Sequence, residues 1–243
     1  MKNFIKSQTA VSEAIGFILT LGVIILASGL VYAGGLPILE QSMTRSHFME
    51  MEESFKVLGQ NINEVVYERA PVRNSELKIM GGAMSIQHDS LMQVIVNDTT
   101  YTYNMGSVEY FRDHQVIAYE NGGLFTKYKN NDTIVRAKPH INYGNVTTIP
   151  VVELLGTYTK AGEGTARIRA SRSDSSSIYF INATGYNTTI IVQSNYYQAW
   201  KRFLENDVGA FDITMDHTNR TVSANITTSY IYMDINRLDM EIN

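Results

Sequence analysis

The residue types that most often carry chemistry are few in this sequence, and they are scattered along it. There is no cysteine, which excludes disulfides, thiolate zinc sites and cysteine nucleophiles. The closest group of metal-ligand types is Asp212, Asp216 and His217, which the alternating geometry of a strand would spread over two faces. Gly162-Glu163-Gly164 lacks the lysine and following helix of a phosphate loop, and no Gly-x-Ser-x-Gly elbow occurs. None of the histidines has the i, i+4 spacing of a zinc helix: His47, His88, His114, His140 and His217. The sequence therefore predicts no catalytic residue, no metal, no cofactor and no enzyme.

Composition restricts the class of partner. Among 243 residues the net charge is -4, without a basic block. Nucleic-acid binding requires clustered lysine and arginine, so nucleic acid is not expected as a partner. The length allows one sizeable domain with an appendage, and the 15 tyrosines, with many Thr and Asn, favour β-structure.

Asn-x-Thr triplets suggest where the chain resides. They are typical of surface domains that carry N-linked glycans, although Asn- and Thr-rich β-structure also produces them by chance. Every triplet follows the long apolar run near the N-terminus. The predicted N-glycosylation sites are Asn97, Asn131, Asn145, Asn182, Asn187, Asn219 and Asn225.

The apolar run has the length of a membrane-spanning helix. No charged residue lies between Ala14 and Leu39, and about 20 residues suffice to cross a bilayer core. Lys2 and Lys6 precede the run, and Glu40 is the first charge after it. This order places the N-terminus in the cytoplasm and predicts a single-pass membrane protein with an extracellular C-terminal domain.

Three interpretations of this segment remain open: a cleaved secretory signal, an uncleaved anchor and a segment retained for assembly. A secretory signal has an apolar region of only about 7–15 residues followed by a small-residue cleavage site. Ala33-Gly34-Gly35 has the composition of such a site, but the run is too long. Glu13 also stands where the apolar region of a secretory signal should begin.

The residues from Lys6 to Gly16, KSQTAVSEAIG, resemble the class III leader junction of archaeal type IV pilins and pilin-like proteins. The resemblance implies that a prepilin peptidase cuts between Thr9 and Ala10, which makes residues 1–9 the leader. Thr9 departs from the Arg or Lys common in that family. The resemblance further implies that the apolar helix is kept and assembles with other pilin subunits, identical or different, into a cell-surface filament.

Glu13 and Gly16 are the predicted assembly residues. By the resemblance, Glu13 pairs with the new terminal amine of a neighbouring subunit. The alternatives are that Glu13 stabilises its own helix start or lies at headgroup level, since a carboxylate in hydrocarbon is costly. Gly16 is one of several small residues, with Gly22 and Gly29, that allow helices to approach closely.

The elements predicted to carry these residues form an α+β fold: a long N-terminal hydrophobic helix, then a mostly antiparallel β globular domain, in a pilin-like lollipop. The helix covers residues 10–70. Residues 10–36 form its transmembrane, assembling part, a break or kink is expected at Gly34–Pro37, and residues 38–69 form an amphipathic part. That part has an apolar stripe at spacings of three and four: Phe48, Met51, Phe55, Leu58, Ile62 and Val65.

The head, residues 71–243, is predicted to be an antiparallel sheet, sandwich or open barrel. The prolines are expected outside strand interiors, and Ala161–Gly164 is expected to be a turn. The predicted strands are Ala83–Gln87, Leu91–Val96, Thr100–Met105, Gln115–Tyr119, Ala166–Ser171, Ser177–Ile181, Thr189–Gln193, Thr221–Ile226 and Tyr230–Ile235.

One helix is predicted within the β-region. It extends over Ser194–Asn206, with Ser194 or Asn195 as its cap. Tyr197 and Trp200 lie on its aromatic face. An exposed face of this kind binds sugars or a partner; the alternative is that Trp200 anchors the helix in the core.

Three segments of the body, YENGGLF (119–125), PVVELLG (150–156) and YYQAW (196–200), resemble blocks in archaeal pilin-like surface proteins. The resemblance implies a pilin-like subunit, minor or specialised because the body is large, with an adhesive head whose surface ligand the sequence does not identify. The alternative is a membrane-anchored extracellular binding or envelope protein that never polymerises. A third interpretation, a secreted hydrolase, requires a convergent polar cleft on the β-body.

Overall fold

The computed structural model describes residues 3–130, 132–173 and 175–243, with the backbone alone for residues 3–12. The chain divides into two compact units, Met1–Glu50 and Met51–Asn243. A long apolar N-terminal helix and a mostly antiparallel β-domain account for them, so the predicted α+β fold class is confirmed. The last part of the long helix belongs to the second unit.

Helix α1 extends without interruption from Asn3 to Tyr67, with Pro37 inside it. The predicted break at Gly34–Pro37 is therefore wrong. Proline removes one N–H from the helical ladder, but the hydrogen bonds on both sides of it remain.

The C-terminal end of α1 is fixed by a backbone motif. Ala70 N–H donates to the carbonyl of Glu64 over 3.1 Å, and Arg69 takes a left-handed φ of 58°. The closure spans the seven residues from Glu64 to Ala70, and the left-handed residue just past the last turn is a common way for a helix to end. Pro71 follows and prevents the helix from continuing.

The described part of the chain contains fourteen strands and a second helix. In chain order they are β1 (Val72–Gln87), β2 (Leu91–Val96), β3 (Thr99–Asn104), β4 (Ser107–Arg112), β5 (Gln115–Glu120), β6 (Gly123–Lys127), β7 (Thr133–Ala137), β8 (Val146–Leu155), β9 (Thr159–Arg172), β10 (Ser177–Asn182), β11 (Asn187–Gln193), α2 (Tyr197–Asn206), β12 (Phe211–Asp216), β13 (Thr221–Thr227) and β14 (Tyr230–Ile242).

The strands form two sheets. The larger has the order β10-β14-β9-β1-β4-β5-β6-β7, and β8 joins it by parallel pairing with β14. The smaller sheet has the order β12-β13-β11-β2-β3 and is antiparallel throughout. Apolar side chains from both sheets and from α2 form one buried cluster, which includes Val94, Phe125, Ile190, Trp200 and Ile231.

The opposite face of the larger sheet is covered by the second unit's part of α1. Its predicted stripe is buried there, with Phe55 and Ile62 at 0% exposure. Asn63 accepts a hydrogen bond from the Tyr119 hydroxyl over 2.9 Å, and Asn61 donates to Ser75 over 2.9 Å. Neighbouring residues of a strand point to opposite faces of the sheet. In β5, Tyr119 therefore faces the helix, and Glu120 faces the core between the sheets.

Two expectations about strand interiors are wrong. Pro150 lies within β8, and the Ala161–Gly164 segment lies within β9. In β8, Asn121 Nδ2 donates to the Pro150 carbonyl over 3.2 Å, and Val152 N–H donates to Asn121 Oδ1 over 2.8 Å. That edge of β8 therefore faces the Asn121 amide rather than β14, and proline at 150 removes no ladder bond.

The α2 helix starts three residues later than predicted. Its N-cap is Tyr196, which makes no capping bond with its side chain, so the predicted cap at Ser194 or Asn195 is wrong. The Ser194 hydroxyl instead accepts a hydrogen bond from Tyr196 N–H over 2.9 Å and donates to Glu120. A buried carboxyl group thus holds the turn that precedes the helix.

Candidate functional site

The apolar part of α1 exposes its large side chains. Among the described residues, this helix is the one candidate membrane span: its most apolar window has a mean hydropathy of 2.5 and no buried residue. An exposed apolar surface of this size is typical of a segment that contacts lipid or another protein. The exposed residues include Ile15, Phe17, Ile18, Leu19, Val23, Ile24, Ile25, Leu26, Leu30 and Val31.

The predicted assembly residues lie at the start of this surface. Glu13 is exposed, and a methyl group added at Gly16 would meet nothing within 4 Å; the same holds for Gly22 and Gly29. No close contact within the chain therefore requires these glycines. Thr9 and Ala10, the predicted cleavage residues, lie in the helix by their backbone, and their side chains are outside the described part.

Five predicted glycosylation asparagines are accessible. Asn97 and Asn182, whose burial would have ruled them out, are exposed, as are Asn145, Asn187 and Asn219. Asn225 differs, because it lies half-buried inside β13, with its Oδ1 accepting a hydrogen bond from Thr189 over 2.8 Å. Asn131 lies outside the described residues.

Four of these asparagines share one end of the body. Asn187 follows the β10–β11 turn and pairs with the last residue of β13. Asn97 follows the last residue of β2, which pairs with the second residue of β11. Asn182 pairs with the first residue of β14, and Asn145 Oδ1 accepts a 2.6 Å hydrogen bond from Ser229. Asn219 lies at the opposite end of β13.

The α2 helix has a buried and a partly exposed side. Trp200 is fully buried at 0% exposure and contacts Phe125 in a tilted arrangement, with ring centroids 5.6 Å apart, as the core-anchor alternative expects. Tyr197 is half-buried, and its hydroxyl lies 2.8 Å from His217 Nδ1. Of the two aromatic residues singled out in the sequence, Tyr197 is therefore the one available at the surface.

A buried carboxyl group lies beneath α2. Glu120 is 1% exposed; its Oε1 accepts hydrogen bonds from Trp200 Nε1 over 2.7 Å and from the Ser194 hydroxyl over 2.8 Å. Burial raises the pKa of Glu120 from 4.5 to about 8, against the lowering effect of these donors. Burial also raises the pKa of the nearby Glu109, which accepts a 2.7 Å hydrogen bond from Tyr196.

A polar cleft with a volume of about 280 Å³ opens at the start of α2. Its walls come from the end of β6, the start of α2 and the β12–β13 turn, and none of its described lining residues is acidic. They are Lys127, Asn195, Tyr197, Gln198, His217 and Arg220. The cleft therefore offers two permanent cations, two amides and a Tyr–His ring pair as groups that bind.

The amide of Asn195 is held in place within this cleft. Its Nδ2 donates to Asp89 over 2.7 Å, while its Oδ1 accepts from Arg220. Asp216 does not join the lining; its carboxylate accepts hydrogen bonds from the backbone N–H groups of Thr218 and Asn219. Among the described residues, no three His, Asp or Glu side chains are grouped to hold a metal.

Sequence reasoning missed both Glu120 and the cleft. Glu120 precedes an Asn-Gly-Gly turn and has no local sign of burial. The cleft joins residues as far apart in sequence as Lys127 and Arg220. Lys127 belongs to the larger sheet and Arg220 precedes a strand of the smaller one, so only the packing of the two sheets brings them together. The one indication in the sequence was the aromatic face of α2, which contains Tyr197.

Comparison with protein families gives a single decisive match. The profile of the family of unknown function DUF7289 aligns with residues 9–242, nearly the whole chain. The chain belongs to the DUF7289 family. The DUF7289 match begins at Thr9, so it includes the apolar part of α1 as well as the β-domain.

This DUF7289 chain is also similar to an uncharacterised protein of Archaeoglobus fulgidus. The two are 21% identical over 269 aligned residues, which cover 86% of this chain and 87% of the other protein. No solved structure matches the chain.

Proposed function

We propose that this chain is an archaeal type IV pilin-like subunit of minor or specialised type. It is inserted in the membrane by α1 and trimmed by a prepilin peptidase. It then assembles through its apolar helix into a surface filament or complex. The observation that carries the proposal is the apolar helix surface that begins at Glu13, whose described large side chains are exposed. The archaeal source of the similar protein agrees with it.

The assembly step follows from the composition of this surface. Between hydrocarbon-like helices, association depends on close packing rather than on water exclusion, and small residues permit that approach. Gly16, Gly22 and Gly29 leave open space beside the helix. A neighbouring helix fills that space in the proposed assembly.

Glu13 gives the assembly its register in this proposal. Cleavage before Ala10 creates an α-amino group close in sequence to Glu13. An unpaired charge within a membrane costs on the order of 2.5–3.5 kcal/mol on insertion scales. Pairing of Glu13 with a neighbour's terminal amine offsets that cost. The carboxylate is therefore a modest penalty in a single inserted chain and a stabilising group in the assembled form.

The β-domain is the extracellular, interacting part in this proposal. Its accessible Asn-x-Thr sites fit an exported, glycosylated surface domain. Mass spectrometry of the native protein tests the processing step: the expected N-terminus is Ala10. A native protein that keeps Met1 would refute the pilin assignment and favour the alternative, a non-polymerising membrane-anchored binding or envelope protein.

The assembly step is tested by Glu13→Ala. We expect membrane fractions to contain as much variant as wild type, while cross-linked oligomers or filaments are lost. Glu40→Gln, which removes the first charge beyond the apolar run, is the matched control and should assemble normally. Equal assembly of the Glu13→Ala variant and the wild type would refute the pairing role.

A further inference from the structure

The cleft between β6, α2 and the β12–β13 turn has the size, charge and side-chain types of a small-molecule binding site. Its volume of about 280 Å³ lies near the lower end for small-molecule pockets. Two cations and two amides surround it, and no described lining residue is acidic. A ligand of one or two rings with a negative charge matches this size and charge.

The backbone of Arg220 is left-handed, and its side chain reaches the cleft. Arg220 has a φ of 54° in the tight turn that precedes β13. Glycine adopts this left-handed conformation freely, whereas a residue with a Cβ is strained there. Arginine therefore occupies a turn position for which glycine is better suited, and its guanidinium reaches Asn195 at the cleft.

The remaining groups favour a sugar over a simple anion. Tyr197 and His217 meet edge to face, with ring centroids 5.7 Å apart, which fixes an aromatic surface beside the cations. Aromatic faces take the apolar side of a ring, and an amide such as that of Gln198 can both donate hydrogen bonds to hydroxyl groups and accept them. A bare phosphate or carboxylate would leave the apolar face of Tyr197 without a contact.

We propose that this cleft binds an acidic saccharide, with the carboxylate of a uronic acid placed between Lys127 and Arg220 and the sugar ring against Tyr197. The inference deepens the proposed interaction role of the β-domain and rests on it. It does not depend on whether α1 assembles.

The test is titration of the full-length chain in detergent with digalacturonate, followed by calorimetry or by NMR shifts of His217. Galabiose, which has the same linked rings without carboxylates, is the matched neutral probe. We expect digalacturonate to bind at least about tenfold more tightly, because the charge-assisted hydrogen bonds are lost with the carboxylates. Equal binding of the two probes would overturn the proposal.

Two variants separate binding from folding. Arg220→Gly removes the guanidinium and relieves the turn, so thermal stability should be kept or raised while digalacturonate affinity falls about tenfold or more. Lys127→Gln should weaken binding similarly, and Lys129→Gln, an exposed charge outside the cleft, should not. Loss of affinity in Lys129→Gln equal to that in Lys127→Gln would assign the effect to general charge and reject the site.

A further probe distinguishes the ligand class. A tetraglutamate peptide presents carboxylates without a sugar ring, and we expect it to bind more weakly than digalacturonate. Equal affinity would reject a saccharide as the ligand. Leader cleavage and oligomer formation are measured separately on the same preparations, so a failed titration leaves the pilin assignment unaffected.

Discussion

Replacing Glu120 by glutamine should remove a pH dependence from the stability of the β-domain. The side chain is 1% exposed and receives hydrogen bonds from Trp200 and Ser194. Glutamine has the same shape and keeps an oxygen acceptor for both donors, but it carries no titrating proton. The substitution therefore isolates the cost of charging a carboxyl group in this position.

The magnitude follows from the two pKa values. The pKa of Glu120 is 4.5 when the chain is unfolded and about 8 when it is folded, so the folded state binds the proton more tightly. The stabilisation is complete below pH 4.5 and is lost as the pH rises through about 8. The full difference corresponds to roughly 5 kcal/mol, of which about 2 kcal/mol is lost between pH 6 and pH 8.

Urea unfolding at pH 6, 7 and 8 measures this loss. Trp200 is the only tryptophan, so its fluorescence reports on the β-domain in the detergent-solubilised full chain. We expect the wild type to lose about 2 kcal/mol over this range and Glu120→Gln to lose much less. Glu163→Gln, which changes an exposed carboxylate on β9, should behave as wild type. If wild type and Glu120→Gln lost equal stability, Glu120 would not be the titrating group.

The remaining predictions concern backbone support and modification. Asn121→Gly keeps the left-handed φ of 47° but leaves two buried backbone groups of β8 without partners, so unfolding should require about 2–4 kcal/mol less. Gly156→Ala would place a Cβ in collision with the carbonyl oxygen of Met240, at a left-handed φ of 109°. This substitution should lower the free energy of unfolding by more than about 2 kcal/mol. Gly144→Ala is the control: its nearest contact is at 3.7 Å, so its free energy of unfolding should be within about 0.5 kcal/mol of wild type. Glycopeptide mass spectrometry should find the lowest occupancy at the half-buried Asn225; full occupancy there would contradict the accessibility argument.

Periodicity and turn chemistry were enough to predict the elements that bury one face. Strand β2 has the predicted bounds, because its residues alternate cleanly and turns flank it. The stripe of α1 was evident for the same reason, and Phe55, Leu58 and Ile62 are buried. Local pattern is informative wherever one side of an element faces solvent.

Sequence reasoning failed where contacts between residues distant in sequence determine the local structure. The short strand β6 was not predicted, because its residues are buried on both faces and so do not alternate. Pro150 argued against a strand, yet the Asn121 amide supplies the edge bonds that make proline harmless there. The cleft was missed because its two cations come from different sheets, and the packing of the sheets positions them.

The position of β14 determines when the β-domain can be completed. This strand borders β10 through Tyr230–Ile235 and β9 through Leu238–Ile242, and it is the strand on which β8 pairs. Until β14 has been synthesised, β8 has no ladder partner and β10 is separated from the rest of the larger sheet. In an exported domain, these open edges would persist throughout translocation. Completion of the larger sheet is therefore a late event in folding, and truncation before Tyr230 would leave strands exposed to aggregation.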